Sequence, residues 1–126
     1  MIDHKTIEEM LMSLPNVWLD YPFGEDAAVY KIGDKDKGEG KMFAIIAEGS
    51  EPVRLSLKCD PQLAELLREK YETVLPGYHL NKKHWNTITC NDDVDISLLY
   101  AWIDESYHLV FGSLTKKAKA QLLQKS

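Results

Sequence analysis

The feature that most restricts the fold of this chain is a series of short strand-like segments with no helical segment between them. The clearest is residues 53–58, where apolar and polar side chains alternate as in a strand with one buried face. Similar segments occupy residues 17–21, 27–32 and 42–47. The connections are too short for the crossover that parallel neighbours require, so the sequence predicts an antiparallel meander. Because residues 42–47 are apolar throughout, we expect them to form a central strand.

Helical segments flank this region on both sides. The first is predicted at residues 6–14, with Asp3 as an alternative start. A second begins with the N-cap Asp60, a third with Asp95, and a short terminal helix covers residues 115–124. Their spacing predicts the buried faces Ile7, Met10, Leu11 and Leu14 in the first helix, Leu63, Leu66, Leu67 and Tyr71 in the second, and Leu99, Trp102, Ile103 and Val110 in the third.

One further strand is predicted at residues 85–90, between the second and third helices. The order is therefore α-β-β-β(-β)-α-β-α-α, in which strands run together and do not alternate strictly with helices. This order predicts an α+β fold, with helices packed on an antiparallel sheet of about five strands. The 126 residues form one domain, and 44% of them are hydrophobic, which suffices for a core without a metal or a disulfide.

Composition limits the classes of function. The formal net charge of −5 is unlike the positive field of most nucleic-acid-binding and membrane-surface proteins. No apolar stretch is long enough to cross a membrane, and no signal peptide follows Met1. Cys59 and Cys90 lack the CxxC spacing of redox and zinc sites. We expect a reduced, cytoplasmic, monomeric protein with both thiols free and with no cofactor.

The segment 76–87, PGYHLNKKHWNT, is the strongest candidate site, and we call it the signature loop. Surface loops rarely carry so many large side chains unless these bind something or hold the loop in place. Lysines would neutralise phosphates, aromatic rings would stack on bases, and asparagines would bond to base edges. The candidate contact residues are Tyr78, His79, Asn81, Lys82, Lys83, His84, Trp85 and Asn86, with Arg54 and Lys58 extending a basic strip along the solvated strand face.

A structural role for the same side chains is the alternative. Trp85 begins a strand and would then anchor the loop in the core, while Asn81 and Asn86 would bond to loop backbone. Arg54 and Lys58 would form the ordinary solvated side of a half-buried sheet.

Other chemistry has little support in the sequence. His79 and His84 have no HxxxH spacing and no supporting carboxylate or thiol, so we expect no metal site. No Ser/His/Asp arrangement, Cys/His pair or carboxylate dyad stands out, so no catalytic residue is assigned. The turn at residues 33–40 mixes acids with its lysines, which favours a solvated hairpin tip over a phosphate-binding wing.

Four blocks make the chain similar to the MmcQ/YjbR family. They are residues 21–24 (YPFG), 41–44 (KMFA), 76–87 (the signature loop) and 106–110 (SYHLV), in the order in which the family has them. The resemblance implies a small α+β fold like that of frataxin and the secretion chaperones. It also implies DNA binding, by analogy with a double-wing domain of a phage transcription factor, and it brings no catalytic residues.

Three functions follow as hypotheses. The first is a non-enzymatic domain whose signature loop binds DNA or another nucleic acid. The second is a protein-interaction or chaperone-like adaptor, which the acidic net charge suits better. The third is a small-molecule binder or enzyme, which requires a pocket lined by Tyr78, His79 or Trp85.

Overall fold

A computed structural model describes residues 1–78 and 80–125 of the chain. Within these residues an antiparallel sheet is combined with helices, which confirms the predicted α+β class. In chain order the elements are α1 (His4–Met12), β1 (Val17–Asp20), β2 (Ala27–Ile32), a 3₁₀ turn (Lys35–Lys37), β3 (Lys41–Ala47), β4 (Arg54–Lys58), α2 (Pro61–Lys70), β5 (Val74–Pro76), β6 (Trp85–Thr89), α3 (Ile96–Gly112) and α4 (Lys116–Lys125).

The sheet has the strand order β1-β2-β3-β4-β6-β5, and every neighbouring pair is antiparallel. β3 lies near the middle of the sheet, as its continuous apolar sequence predicts. The strand β5 was not predicted. It has three residues, of which only Val74 is buried, so it is too short to show a period of two.

Aspartates begin three helices. Asp3 caps α1 by accepting a hydrogen bond from the backbone N–H of Thr6 at 2.8 Å, so the helix starts at the alternative site given by the sequence. Asp60 and Asp95 cap α2 and α3 as predicted, each by accepting from backbone N–H groups of the first turn.

The main core lies between one face of the sheet and the helices. Side chains of α1, α3 and α4 pack there on apolar side chains of the strands, including the fully buried Tyr30, Phe43 and Leu55. A register shift between β2 and β3 lets the consecutive residues Phe43 and Ala44 both reach this core. Ser106 of α3 donates a hydrogen bond to the Phe43 carbonyl at 2.7 Å, which fixes the helix against the centre of the sheet.

The predicted buried face of α2 is partly wrong. Ala64 is the fully buried residue of this helix, and Leu63 and Leu67 are half-buried, but Leu66 is 61% exposed. The helix contacts β5 and β6 at the edge of the sheet, so only a narrow stripe of its surface is covered.

The opposite face of the sheet has a smaller apolar cluster, made of Val29, Ile45 and Trp85. Leu80 of the signature loop packs on this cluster. The described residues that cover this face come from strands and loops, and we therefore call it the open face.

Tyr107 connects α3 to the turn between α1 and β1, because its hydroxyl donates to the Pro15 carbonyl at 2.7 Å. We expect Tyr107→Phe to lower the free energy of unfolding by about 1 kcal/mol, since this hydrogen bond between α3 and the turn is lost. Tyr100→Phe, at an exposed position of the same helix, should leave it unchanged. Urea unfolding of both variants is the measurement, and equal stabilities would contradict the assigned role of this hydrogen bond.

Candidate functional site

A cleft of about 510 Å³ opens on the open face of the sheet. Its floor consists of small or apolar side chains from four adjacent strands, its walls come from the turn after β1 and from the signature loop, and its rim carries three charges. The floor residues are Ala27, Ile45, Ala47, Ser56 and Thr87, the wall residues are Phe23, Tyr78 and Leu80, and the rim residues are Asp26, Glu48 and Arg54.

The strand register explains the hollow. Ala27 pairs with Ala47, and in the next row Ile45 pairs with Ser56, which in turn pairs with Thr87. Four of these five side chains are short, so they leave a depression in the surface of the sheet where they lie side by side. The aromatic rings at the sides stand above it.

Two aromatic rings are exposed at the walls of this cleft. Phe23 is 65% exposed and Tyr78 is 60% exposed. Exposed large aromatic residues beside a concave apolar surface are typical of binding sites. The guanidinium group of Arg54 lies 5.4 Å from the centre of the Tyr78 ring, within the range of a cation–π interaction.

Hydroxyl groups supply the polar part of the floor. The side-chain oxygens of Ser56 and Thr87 are 2.8 Å apart and form a hydrogen bond, and both residues are buried. Thr87 also accepts a hydrogen bond from the backbone N–H of Tyr78 at 3.1 Å. This bond ties the wall of the cleft to its floor.

The signature loop is held in place from the helix side by Arg68 of α2. Its Nε donates to Oδ1 of Asn86 at 2.6 Å, and its Nη2 donates to the carbonyls of Trp85, at 3.2 Å, and Lys82. The amide nitrogen of Asn86 donates to the Ala64 carbonyl at 3.3 Å. The Arg68 guanidinium thus provides hydrogen-bond donors for backbone carbonyls of a turn with little regular structure, and the Asn86 amide links it to α2.

Gly77 allows the loop to pass close to β6. A Cβ atom at this position would lie 2.7 Å from the Cβ atom of Trp85, so no larger residue fits without movement of the chain. The Gly77 N–H donates to the Trp85 carbonyl at 2.8 Å.

Two predicted contact residues have structural roles instead. Trp85 is 5% exposed and lies under Leu80, so its ring offers no free surface to a base. Asn86 is 2% exposed, and both ends of its amide are bonded within the protein. In this structure neither side chain is accessible for the contacts predicted from the sequence, because the first two residues of β6 are buried.

The remaining loop residues divide into bonded and exposed groups. Asn81 accepts from the Lys83 N–H at 2.9 Å, which is the structural alternative given by the sequence. The ammonium of Lys82 donates to the Gly77 carbonyl at 3.3 Å. Lys83 is exposed and His84 is half-buried, while His79 lies outside the described residues. Among the described residues neither lysine forms an ion pair with a carboxylate.

The structure brings Tyr78 and Arg54 together at the cleft, as the predicted link between loop and strand requires. Lys58 emerges from the same face of β4 beside Trp85, but it does not line the cleft. The sequence analysis missed Phe23 and the floor residues. The one signal for Phe23 was an aromatic residue in a turn between a proline and a glycine. The floor residues left no signal in the sequence, because their short side chains lie on different strands and come together only in the folded sheet.

Thiol and metal chemistry have no visible site in the described part of the chain. Cys59 and Cys90 are free and buried, and burial raises the pKa of the Cys59 thiol to about 11 and that of Cys90 to about 12. Residues 1–78 and 80–125 contain no group of three or more His, Cys, Asp or Glu side chains placed to hold a metal ion. Nor does any helix among them have the length and apolarity to span a membrane.

Residues 12–109 match the sequence model of a known family, YjbR. The chain belongs to the YjbR family. This agrees with the resemblance carried by the signature loop, and the matched range includes every residue that lines the cleft.

Relatives and solved structures support this assignment. YbdF of Escherichia coli O157:H7 is 36% identical over 114 residues, which cover 90% of this chain and 88% of that protein. YjbR of Escherichia coli K12 is 36% identical over 88 residues, 70% of this chain and 75% of that protein. A crystal structure from Deinococcus radiodurans superposes with a TM-score of 0.86 and 35% identity, covering 94% of this chain and 86% of that one. The names of these proteins state no activity.

Removal of the Arg68 guanidinium should loosen the signature loop. We expect Arg68→Ala to lower the free energy of unfolding by about 2 kcal/mol, because Oδ1 of the buried Asn86 loses its charged donor. Faster hydrogen exchange of the amides in residues 80–86 should accompany this loss. Glu65→Ala, at an exposed position of the same helix, serves as the control. Equal exchange in the two variants would contradict the role given to Arg68.

Proposed function

We propose that this domain is a non-enzymatic binding module that takes a planar ring of a ligand into the cleft on its open face. The observation that carries the proposal is the pair of exposed aromatic side chains, Phe23 and Tyr78, at the walls of a cleft with a small-residue floor. The cleft has the volume of an ordinary small-molecule site, which runs from about 300 to 1,000 Å³.

The arrangement suits a flat, largely apolar group. Ile45 and Ala47 offer an apolar surface on which a ring can lie, and the edges or faces of Phe23 and Tyr78 are accessible to it. Aromatic contacts of this kind add about 0.5–1.5 kcal/mol beyond the apolar area that they bury. A ligand that covers these side chains would remove from water the apolar surface that the domain now leaves exposed.

The chemistry of the lining favours binding over catalysis. The hydroxyls of Ser56 and Thr87 are bonded to each other, and within the described residues neither is bonded to a histidine or a carboxylate that could remove its proton. A serine or threonine nucleophile needs such a base in hydrogen-bond contact.

Indole is a suitable neutral probe of this site. We expect it to shift the amide resonances of Ile45, Ser56 and Thr87 in the labelled protein. Phe23→Ala and Tyr78→Ala should each weaken its binding roughly fivefold, since each removes about 1 kcal/mol of aromatic contact. Tyr100→Ala is the matched control, because Tyr100 is equally exposed but belongs to α3 on the other side of the sheet.

Two results would contradict the proposal. One is a titration in which indole and similar planar compounds move no resonance of the cleft. The other is an equal loss of binding in the Tyr100 control, which would point to general adsorption on exposed rings.

A single strand of nucleic acid is the second candidate, and it continues the expectation drawn from the sequence. Arg54 and Lys58 project from one face of β4, and Lys83 is exposed in the loop beside it, so phosphates could follow this line while a base enters the cleft. It is the weaker candidate, because Asp26 lines the same cleft and its carboxylate repels phosphates.

Salt dependence tests this second candidate. For single strands, a plot of the logarithm of the binding constant against the logarithm of the salt concentration falls with a slope of about 0.7 for each phosphate contact. The double variant Lys58→Ala/Lys83→Ala removes two phosphate contacts and should therefore lower this slope by about 1.4. The double variant Lys116→Ala/Lys117→Ala on α4 should leave the slope unchanged. Fluorescence anisotropy of a labelled oligonucleotide is the measurement, and a slope that both variants lower equally would reject a specific path along β4.

A further inference from the structure

The cleft is electrically asymmetric. Arg54 belongs to β4 and leans over the ring of Tyr78 on the side of β6. Asp26 directly precedes β2 and lies toward the other side of the cleft, whereas the carboxylate of Glu48 is turned to His4 of α1. Since β3 separates β2 from β4, the backbone positions of Asp26 and Arg54 are about 10 Å apart. A bound molecule would thus meet the Arg54 cation at one side and the Asp26 carboxylate at the other.

The two hydroxyl groups in the floor carry one proton more than the hydrogen bond between them uses. Ser56 and Thr87 carry two hydroxyl protons, and the hydrogen bond between them uses one. The Tyr78 N–H occupies a lone pair of Thr87 and uses neither proton. The second hydroxyl proton therefore has no acceptor among the described residues, and it lies at the floor of the cleft, where an oxygen of a ligand could accept it.

Other cations do not compete for this place. Lys82 directs its ammonium to the Gly77 carbonyl, and Lys58 lies farther along β4, outside the lining. The imidazole of His4 is also engaged elsewhere, because its Nε2 lies 3.1 Å from the Glu48 carboxylate. Arg54 is thus the cation that lines the cleft within the described part of the chain.

We infer that the ligand is a small planar aromatic carboxylate, an inference that rests on the proposed function of the cleft. The ring lies on Ile45 and Ala47, and the carboxylate accepts hydrogen bonds from Arg54 and from the floor hydroxyl. The opposite edge of the ring faces Asp26, where a hydroxyl or amino substituent would donate to the carboxylate. Charge-assisted hydrogen bonds of this kind are among the stronger polar contacts.

This class fits the lining better than its neutral and cationic counterparts. A neutral ring uses the apolar floor but gains little from Arg54. A ring with an ammonium group can direct it to Asp26, but its other end then offers no acceptor to Arg54 or to the floor hydroxyl. A ring with a carboxylate at one end and a donor at the other matches both sides of the cleft.

A series of benzene derivatives tests the inference by amide chemical-shift titration at constant ionic strength and pH 7. Benzoate should bind about fivefold more tightly than benzamide, and it should also bind more tightly than benzylamine. 4-Hydroxybenzoate should exceed benzoate by about twofold, because its hydroxyl donates to Asp26. In each case the resonances of Ser56 and Thr87 should move.

Variants assign the preference to named side chains. Arg54→Gln should make benzoate and benzamide bind alike, whereas Lys117→Gln, at an exposed position of α4, should leave their ratio unchanged. Asp26→Ala, which removes the acceptor, should abolish the advantage of 4-hydroxybenzoate and leave the ratio of benzoate to benzamide at least as large.

The outcomes separate this inference from the proposed function. If benzamide and indole bind as well as benzoate does, and Arg54→Gln has no effect, the carboxylate preference is wrong while the ring site stands. If no member of the series and no indole moves the cleft resonances, the proposed function itself is wrong.

Discussion

The main core, between the helices and one face of the sheet, organises this structure, whereas the open face buries a much smaller cluster of Val29, Ile45 and Trp85. Tyr30, Phe43 and Leu55 point into the main core beneath the helices and are fully buried. Burial at about 25 cal/mol per Å² makes this face the principal source of stability. Among the residues that the structure describes, the signature loop and the turn after β1 cover the open face. What they leave uncovered, between Phe23 and Tyr78, is the cleft.

The two sides of the sheet are connected through Arg68 and Asn86. Both belong to the region where α2 meets β6, and together they bond the loop backbone that carries Tyr78 toward the open face. A side chain of a helix thus determines the position of a cleft wall on the opposite face. This explains why a loop with little regular structure presents an aromatic ring in a defined place, and why much of its polar content is structural.

Local signals were sufficient for most of the fold. The N-caps Asp60 and Asp95 and the central position of β3 follow from short-range chemistry, since a cap acts within one turn and an apolar strand is stable only between neighbours. β5 and the exposure of Leu66 did not follow. Both depend on how far α2 extends past the edge of the sheet, and no local pattern encodes this.

The α+β class and the family could be read from the sequence, which also singled out Tyr78 and Arg54, two residues that line the cleft. The burial of the Trp85 ring, the exposure of the Tyr78 ring and the contact between Ser56 and Thr87 in the floor depend on packing between distant segments. The reason is physical: periodicity and capping act over a few neighbouring residues, whereas a cleft arises where strands distant in sequence place short side chains side by side.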